Sequence, residues 1–232
     1  LIKGVVRSRA LQSQPGNCSG FDVFMSKNRP IPPLTLASTS PFRKKLLKRL
    51  GIEFSVAAPG VDETANPGED GRALALRLSI AKAQAIAATI QKGLVIGSDQ
   101  VAVLGNEVLG KPRDRADAIR QLTLSSGREM HLYTGLALAN AATGIIQQDV
   151  VSYRVIYRTL SLRQIEEYLD LDEPYGCCGS LRAESLGIAL LKELSGPDPS
   201  ALIGLPLISL VEMLNEEWVD VLDSDHSMHL QT

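Results

Sequence analysis

The chain is organised around the stretch Leu36-Ala37-Ser38-Thr39-Ser40-Pro41-Phe42-Arg43, which predicts a short strand that turns into a helix. Ser40 suits the N-cap, since its hydroxyl accepts a free N–H of the first turn, and Pro41 suits the first helical position. Free N–H groups at a helix start attract anions, phosphate in particular. The helix dipole disfavours Arg43 there unless an anion binds beside it. The stretch therefore predicts either an ordinary capped helix with a solvated arginine or one side of an anion site.

Composition limits the classes of protein to which the 232-residue chain can belong. Its 44% hydrophobic and 22% charged residues are typical of a globular protein, and a net charge of −2 disfavours wholesale nucleic-acid or membrane binding. No run approaches the roughly 18 apolar residues of a membrane span. The three cysteines form neither a disulfide framework nor a zinc spacing, so we expect a cytoplasmic protein. We expect any metal to be a hard cation on carboxylates.

The two ends of the chain differ from the rest. Residues 1–33 are basic, rich in Ser, Gln, Pro and Gly, and without periodicity, so we predict a disordered extension. Within it, residues 1–24 precede Met25 and are expected to lie outside the fold. Residues 217–232 are predicted to be a flexible tail. One domain is therefore expected over residues 34–216.

Helices and strands alternate along that domain, with hairpins between some strands. Helices are predicted at 41–50, 70–90, 114–124, 161–171 and 204–214. Strands are predicted at 34–37, 52–58, 94–97, 101–104, 108–109, 130–139, 145–157 and 188–193, and polar loops at 175–185 and 195–200. This alternation predicts a mixed α/β fold, in which helices flank a mixed sheet.

Two charged residues fall at positions that the pattern predicts to be buried. Asp99 lies between two apolar strand runs, and a buried carboxylate costs several kcal/mol unless it is paired or metal-bound. Lys82 lies at the edge of the apolar stripe of the helix at 70–90, where it either extends to solvent or meets an anion. For Asp99 a functional role is favoured over a structural one.

A small set of residues is suited to phosphate-ester chemistry. Cations hold phosphates, carboxylates hold Mg²⁺ or orient water, and the metal neutralises developing charge. The candidates are Ser40, Arg43, Glu63, Lys82, Asp99 and Lys111. None lies in a phosphate-binding loop or dinucleotide fingerprint. From spacing alone, a surface lysine at 111 and a solvated carboxylate at 63 are the alternatives.

Six short motifs that follow one another along the chain give it a specific resemblance to a known family. They are residues 36–43, Val61-Asp62-Glu63, Lys82-Ala83, Gly97-Ser98-Asp99-Gln100, Gly110-Lys111-Pro112 and Gly204-Leu205-Pro206. Together they resemble the Maf family of nucleotide pyrophosphatases over residues 34–214. The resemblance implies a fold similar to that of the inosine triphosphate pyrophosphatases, with two lobes around a cleft. It also implies hydrolysis of a nucleoside triphosphate to the monophosphate and pyrophosphate, with a divalent cation (Mg²⁺, Mn²⁺ or Co²⁺).

The resemblance also implies a role for each candidate residue. Asp99 would be the proton acceptor that activates water, and Glu63 would bind the metal together with Asp99. The phosphates would be held by Arg43, Lys82 and Lys111, with Ser40 capping the phosphate pocket. The partner expected is a small-molecule nucleotide, without a stable nucleic-acid or membrane partner, and a homodimer is possible.

Three positions correspond to those that divide the family by base preference. Phe42, Gln100 and Glu184 look most like the 7-methyl-GTP subgroup, which usually carries Trp where Phe42 stands. Methylation makes guanine cationic, so an aromatic face attracts it and Glu184 offsets its charge. The alternatives are a dTTP/UTP-type pyrophosphatase and a non-catalytic nucleotide-binding regulator of septum formation. Core packing is the alternative role for Phe42.

Overall fold

The computed structural model of the chain describes residues 31–222. Its helices are α1 (Pro41–Leu47), α2 (Gly71–Ala87), α3 (Arg115–Ser125), α4 (Leu162–Asp172), α5 (Pro199–Ile203) and α6 (Leu207–Glu216). Its strands are β1 (Leu34–Leu36), β2 (Ser55–Val56), β3 (Leu94–Leu104), β4 (Glu107–Leu109), β5 (Glu129–Asn140), β6 (Ile146–Tyr157) and β7 (Leu191–Ser195). Short 3₁₀ helices cover Lys48–Leu50, Cys178–Ser180 and Leu186–Leu190. Within this described part, no helix is long and apolar enough to cross a membrane.

One mixed sheet contains every strand of residues 31–222, as the sequence predicted. Its order is β2-β1-β3-β5-β6-β7, and β4 pairs with the far end of β3. The β1–β2 and β1–β3 pairs are parallel and the remaining pairs are antiparallel. The predicted hairpins β3–β4 and β5–β6 are confirmed. Asp99 lies in the middle of β3, opposite Gly135 of β5.

Helix α2 lies unusually close to the centre of this sheet. A Cβ atom on Gly97 of β3 would overlap the carbonyl oxygen of Ser79, and one on Gly135 would overlap that of Ala75. Both strands therefore need glycine where the helix backbone crosses them. This close approach brings Lys82, three residues after Ser79 on α2, to the strand that carries Asp99.

The core divides into two large apolar clusters at opposite ends of the long strands. One cluster contains Ala102 and Leu104 of β3 and packs against α3 and α4. The other contains Leu94 and Ile96 and packs against α1 and α6. Asp99 lies between these two ends of β3, where neither cluster includes it.

The structure corrects several predicted boundaries. The strand predicted at 52–58 is only Ser55–Val56, because neighbouring residues leave the short parallel ladder with β1. The strand predicted at 188–193 begins as a 3₁₀ helix and becomes extended only at Leu191–Ser195. The loop predicted at 195–200 ends in α5, which Asp198 caps, and the last helix begins at Leu207.

The predicted tail is ordered at its start. Val219 is 1% exposed and belongs to the cluster beneath α6, and Glu217 accepts a hydrogen bond from Asn140 at 2.7 Å. Apolar side chains after the helix explain this order, since burial outweighs the absence of regular structure. The remaining predictions for the two ends fall on residues 1–30 and 223–232, outside the described residues.

Candidate active site

A cavity of about 840 Å³ opens beside the middle of β3. All of the residues predicted to form the site line it: Ser40, Phe42, Arg43, Glu63, Lys82, Asp99, Gln100, Lys111 and Glu184. They come from α1, the loop before α2, α2 itself, β3, the loop after β4 and the loop after α4. The fold thus collects residues separated by more than a hundred positions around one space.

Lys82 links two carboxylates at the floor of the cavity. Its Nζ lies 2.5 Å from Oδ1 of Asp99 and 2.5 Å from Oε1 of Glu63. The side chains of Lys82 and Asp99 are 6% and 12% exposed, whereas the Glu63 side chain is 55% exposed. The buried lysine and the buried aspartate therefore neutralise each other, and Glu63 closes the group from the solvent side.

Arg43 approaches the same carboxylate oxygen of Asp99 as Lys82 does. Its Nη2 lies 4.0 Å from Oδ1 of Asp99, while Nε donates to the carbonyl oxygen of Gly204 at 2.8 Å. Nη1 donates to Oγ of Ser38 at 3.4 Å. The guanidinium is therefore fixed by the protein on one side and faces the cavity carboxylate on the other.

The start of α1 uses some of its N–H groups internally. Ser40 is the N-cap as predicted, since its Oγ accepts from the backbone N of Arg43 at 3.4 Å. The backbone N of Ser40 in turn donates to Oγ of Ser38 at 3.2 Å. The anion site predicted at this helix start therefore depends chiefly on the Arg43 guanidinium.

Glu63 carries a negative charge at neutral pH in this environment. Burial raises the pKa of its carboxyl, but the hydrogen bond from Lys82 and the charges of Lys82, Lys111 and Arg43 outweigh burial and hold the pKa below its usual range. The cations thus keep the carboxylate charged.

Lys111 is exposed on the loop after β4, and hydrogen bonds to Gly110 hold that loop in place. The carbonyl oxygen of Gly110 accepts from Nε2 of Gln121 at 3.2 Å and from the backbone N of Gly179 at 3.1 Å. Gln121 also accepts from Oγ of buried Ser180 at 2.7 Å. These bonds tie the Lys111 loop to the loop that carries Glu184.

The guanidinium group of Arg182 lies against the Phe42 ring. The guanidinium carbon of Arg182 lies 5.7 Å from the centroid of the Phe42 ring, within the range of a cation–π interaction. Arg182 does not line the cavity, whereas Phe42 does. Any cationic group in the cavity therefore shares the ring with Arg182.

Glu184, an exposed residue, also lines the cavity, and its carboxyl group has a perturbed pKa. Partial burial raises its pKa, and the charge of Asp172 acts in the same direction. The charges of Arg182 and Lys45 lower the pKa but do not compensate. Glu184 therefore takes up a proton at a higher pH than an ordinary glutamate.

The residues fit a small, hard metal ion that is shared with a ligand. No group of three or more His, Cys, Asp and Glu side chains able to hold a metal exists within residues 31–222. Glu63 and Asp99 converge, however, because both contact the same Lys82 nitrogen. Mg²⁺ is usually bound by one or two carboxylates together with waters and substrate phosphates. The pair matches that pattern.

The structure adds residues that sequence reasoning missed. Ser38, Cys177 and Cys178 line the cavity, and Ser98 and Gly204 lie behind it. Burial raises the pKa of Cys178 to about 11, so its thiol stays protonated and donates to the Gln100 carbonyl oxygen at 3.3 Å. Ser98 and Gly204 belonged to recognised motifs, so their positions carried a signal, although their contacts did not.

Comparison with known proteins assigns the chain to a class. The family model described as Maf-like protein matches residues 33–217, and the chain belongs to this family. A relative from Thiobacillus denitrificans, named 7-methyl-GTP pyrophosphatase, is 54% identical over 194 residues, which are 84% of this chain and 96% of the relative. A relative from Methylobacillus flagellatus with the same name is 50% identical over 192 residues, 83% of this chain and 100% of the relative.

One solved structure is similar at lower identity. The nucleoside-triphosphatase / dITP/XTP pyrophosphatase from Mycobacterium abscessus is 17% identical, with a TM-score of 0.39, over 55% of this chain and 75% of that chain. A TM-score of this size supports no conclusion about function.

Proposed function

We propose that this protein hydrolyses a nucleoside triphosphate, 7-methyl-GTP, to 7-methyl-GMP and pyrophosphate. The observation that carries the proposal is the convergence of three cations and two carboxylates on one cavity. The names of the two relatives above, both about half identical to this chain over nearly their full length, support this substrate. The proposed location is the cytoplasm.

The chemical step needs a proton acceptor and charge stabilisation. Asp99 accepts the proton of the attacking water, the new oxygen–phosphorus bond forms, and the bond between the α- and β-phosphates breaks to release pyrophosphate. Lys82 holds Asp99 in place, since its Nζ lies 2.5 Å from the carboxylate. Lys82, Arg43 and Lys111 bind the triphosphate and stabilise the negative charge that develops on it.

Glu63 and Asp99 would hold a divalent cation, Mg²⁺, Mn²⁺ or Co²⁺. The cation would supply neutralisation of phosphate charge. Because one lysine contacts both carboxylates in this structure, Lys82 also prevents their mutual repulsion.

Phe42 and Glu184 form the end of the cavity proposed to receive the base. An aromatic face and a carboxylate both favour a cationic base such as 7-methylguanine. Phe42 is a weaker cation–π partner than Trp, and Arg182 already lies against its ring. We therefore expect 7-methyl-GTP to be preferred by a moderate factor rather than to be an exclusive substrate.

The substitution Asp99→Asn tests whether the cavity performs chemistry. Because the amide cannot accept the proton, we expect kcat to fall by at least about 100-fold, the lower range for loss of a general base. Nucleotide affinity is expected to persist, and it is measured by calorimetry. Asp170→Asn, on an exposed ion pair with Arg115, is the matched control and leaves turnover unchanged. Wild-type protein that binds nucleotides but turns none over would support the regulator alternative instead.

A further inference from the structure

The C-terminal end of α5 is held by side chains from the sheet. The last carbonyl groups of a helix have no partners within the helix, and in many helices water serves them. Here protein side chains add donors, beside the backbone N of Gly204, which lies 3.0 Å from the Ala201 carbonyl oxygen. Gln100 and Thr134 donate to Ala201, Gln100 also donates to Leu202, and Ser98 and Arg43 donate to Gly204. This short helix is therefore fastened directly to β3 and β5.

Gln100 uses its donor capacity within the protein. Its Nε2 lies 2.8 Å from the carbonyl oxygen of Ala201, 3.1 Å from that of Leu202 and 3.1 Å from Oγ1 of Thr134. The amide nitrogen carries two hydrogens, so these three acceptors leave none for a ligand. Gln100, which the sequence predicts to contact the base, therefore has only its side-chain oxygen Oε1 available for a ligand.

Gly204 connects this helix end to the cation of the cavity. Its φ of +119° is a conformation that residues with a side chain rarely adopt, so the position requires glycine. Its carbonyl oxygen accepts from Nε of Arg43 at 2.8 Å. Oγ of Ser98 lies 3.0 Å from the same oxygen and 2.8 Å from the Gly135 carbonyl oxygen, so its single hydrogen is shared between the two. The position of this oxygen sets the direction of the Arg43 guanidinium beside Asp99.

We infer that Gln100 and Thr134 are positioning residues for the triphosphate, because they hold α5 so that the Gly204 carbonyl directs Arg43 into the cavity. This inference rests on the proposed function for the identity of the anion. It gives the Gly204-Leu205-Pro206 motif a task that the proposed chemistry leaves unassigned. Because Thr134 does not line the cavity and Arg43 would contact phosphate groups that all nucleotides share, we expect the effect of Thr134 to be independent of the base.

Thr134 allows a test outside the cavity. It is fully buried and does not line the cavity, yet its Oγ1 donates to Ala201 at 2.8 Å and accepts from Gln100. Thr134→Val removes the hydroxyl at nearly constant shape, and Thr134→Ser keeps it as the matched control. Gln100→Met removes the amide at similar length.

The first readout is the Kd of inorganic tripolyphosphate, measured by calorimetry. We expect Thr134→Val and Gln100→Met each to weaken binding by about three- to tenfold, the effect of one lost hydrogen bond, and Thr134→Ser to remain close to wild type. The second readout is kcat/KM for 7-methyl-GTP and UTP, which we expect Thr134→Val to lower by the same factor for both nucleotides. Thermal unfolding establishes that each variant is folded at the assay temperature.

A double-mutant cycle tests whether Thr134 affects tripolyphosphate binding through Arg43. Arg43→Lys keeps the charge but lacks the Nε–H that bonds to Gly204. In that background we expect Thr134→Val to cause no further loss of tripolyphosphate affinity. Additive losses would overturn the inference.

Two other results would also overturn the inference. In the first, Gln100→Met changes the ratio of kcat/KM for 7-methyl-GTP to that for UTP, while Thr134→Val changes neither kcat/KM nor the Kd of tripolyphosphate. Gln100 would then contact the base, and the inference would be overturned. Wild-type protein without measurable tripolyphosphate affinity would overturn it as well. If wild-type protein binds tripolyphosphate but hydrolyses no nucleotide, the proposed function fails, and the binding cycle still decides the positioning role.

Discussion

Lys82 shows how one residue can be predicted from a pattern while its contacts cannot. Its place on the apolar stripe of α2 marked it as unusual, since a buried lysine needs a negative partner. Asp99 was marked by the same reasoning on β3. That the two meet at 2.5 Å, with Glu63 on the same nitrogen, depends on the packing of α2 against the sheet, which residue spacing does not contain.

Phe42→Trp tests the base end of the cavity at the level of one side chain. Trp is the better cation–π partner, so we expect the kcat/KM ratio of 7-methyl-GTP to GTP to rise by about two- to fivefold. Phe42→Leu keeps an apolar side chain without a ring and is expected to lower the ratio. The ratio is measured from pyrophosphate release. An unchanged ratio in both variants would restrict Phe42 to core packing.

The raised pKa of Glu184 predicts that the KM for a nucleotide with a cationic base depends on pH. Burial raises its pKa, so its carboxylate is protonated as pH falls through a value above that of an ordinary glutamate. The KM for 7-methyl-GTP should therefore rise on mild acidification, while that for UTP changes less. Glu63 does not titrate in the same range, because Lys82 and neighbouring cations hold its pKa low. Glu184→Gln should have a KM for 7-methyl-GTP that no longer changes with pH, and persistence of the change would exclude Glu184 as its source.

At the level of elements, α2 owes its position to two glycines. Gly97→Ala would overlap the Ser79 carbonyl oxygen, and we expect it to lower the free energy of unfolding by at least about 2 kcal/mol, as overpacking of a core does. Chemical denaturation measures the change. Gly176→Ala is the matched control, because no atom lies within 4 Å of the added Cβ, and it should leave stability nearly unchanged. Equal stability of the two variants would contradict the close approach of α2 to the sheet.

The elements themselves were largely predictable, for local reasons. The cap at Ser40, the capping box of Ser161 with Gln164, and the turn at Gly105-Asn106 are short-range signals, and all three are present. The strand predicted at 188–193 was displaced because its pairing with β6 begins only near Leu191, which is a long-range effect. The helix α5 was missed because five residues are too few for a periodic pattern.

At the level of the whole molecule, the site lies where two apolar clusters leave a polar gap. The site residues were predicted from motifs in the sequence, and in the structure they line one cavity. The hydrogen bonds behind the cavity, from Gln100 and Thr134 to α5, were not predictable, because they join residues about a hundred and about seventy positions apart. Long-range contacts of this kind require the sheet order.

The proposed reaction is tested most directly by pyrophosphate release from a panel of 7-methyl-GTP, GTP, dTTP, UTP and CTP with Mg²⁺, Mn²⁺ or Co²⁺. We expect 7-methyl-GTP to give the highest kcat/KM, with 7-methyl-GMP and pyrophosphate as the only products. Release from dTTP and UTP without release from 7-methyl-GTP would assign the pyrimidine preference instead. Folded protein that releases pyrophosphate from none of these nucleotides would contradict the proposed hydrolysis.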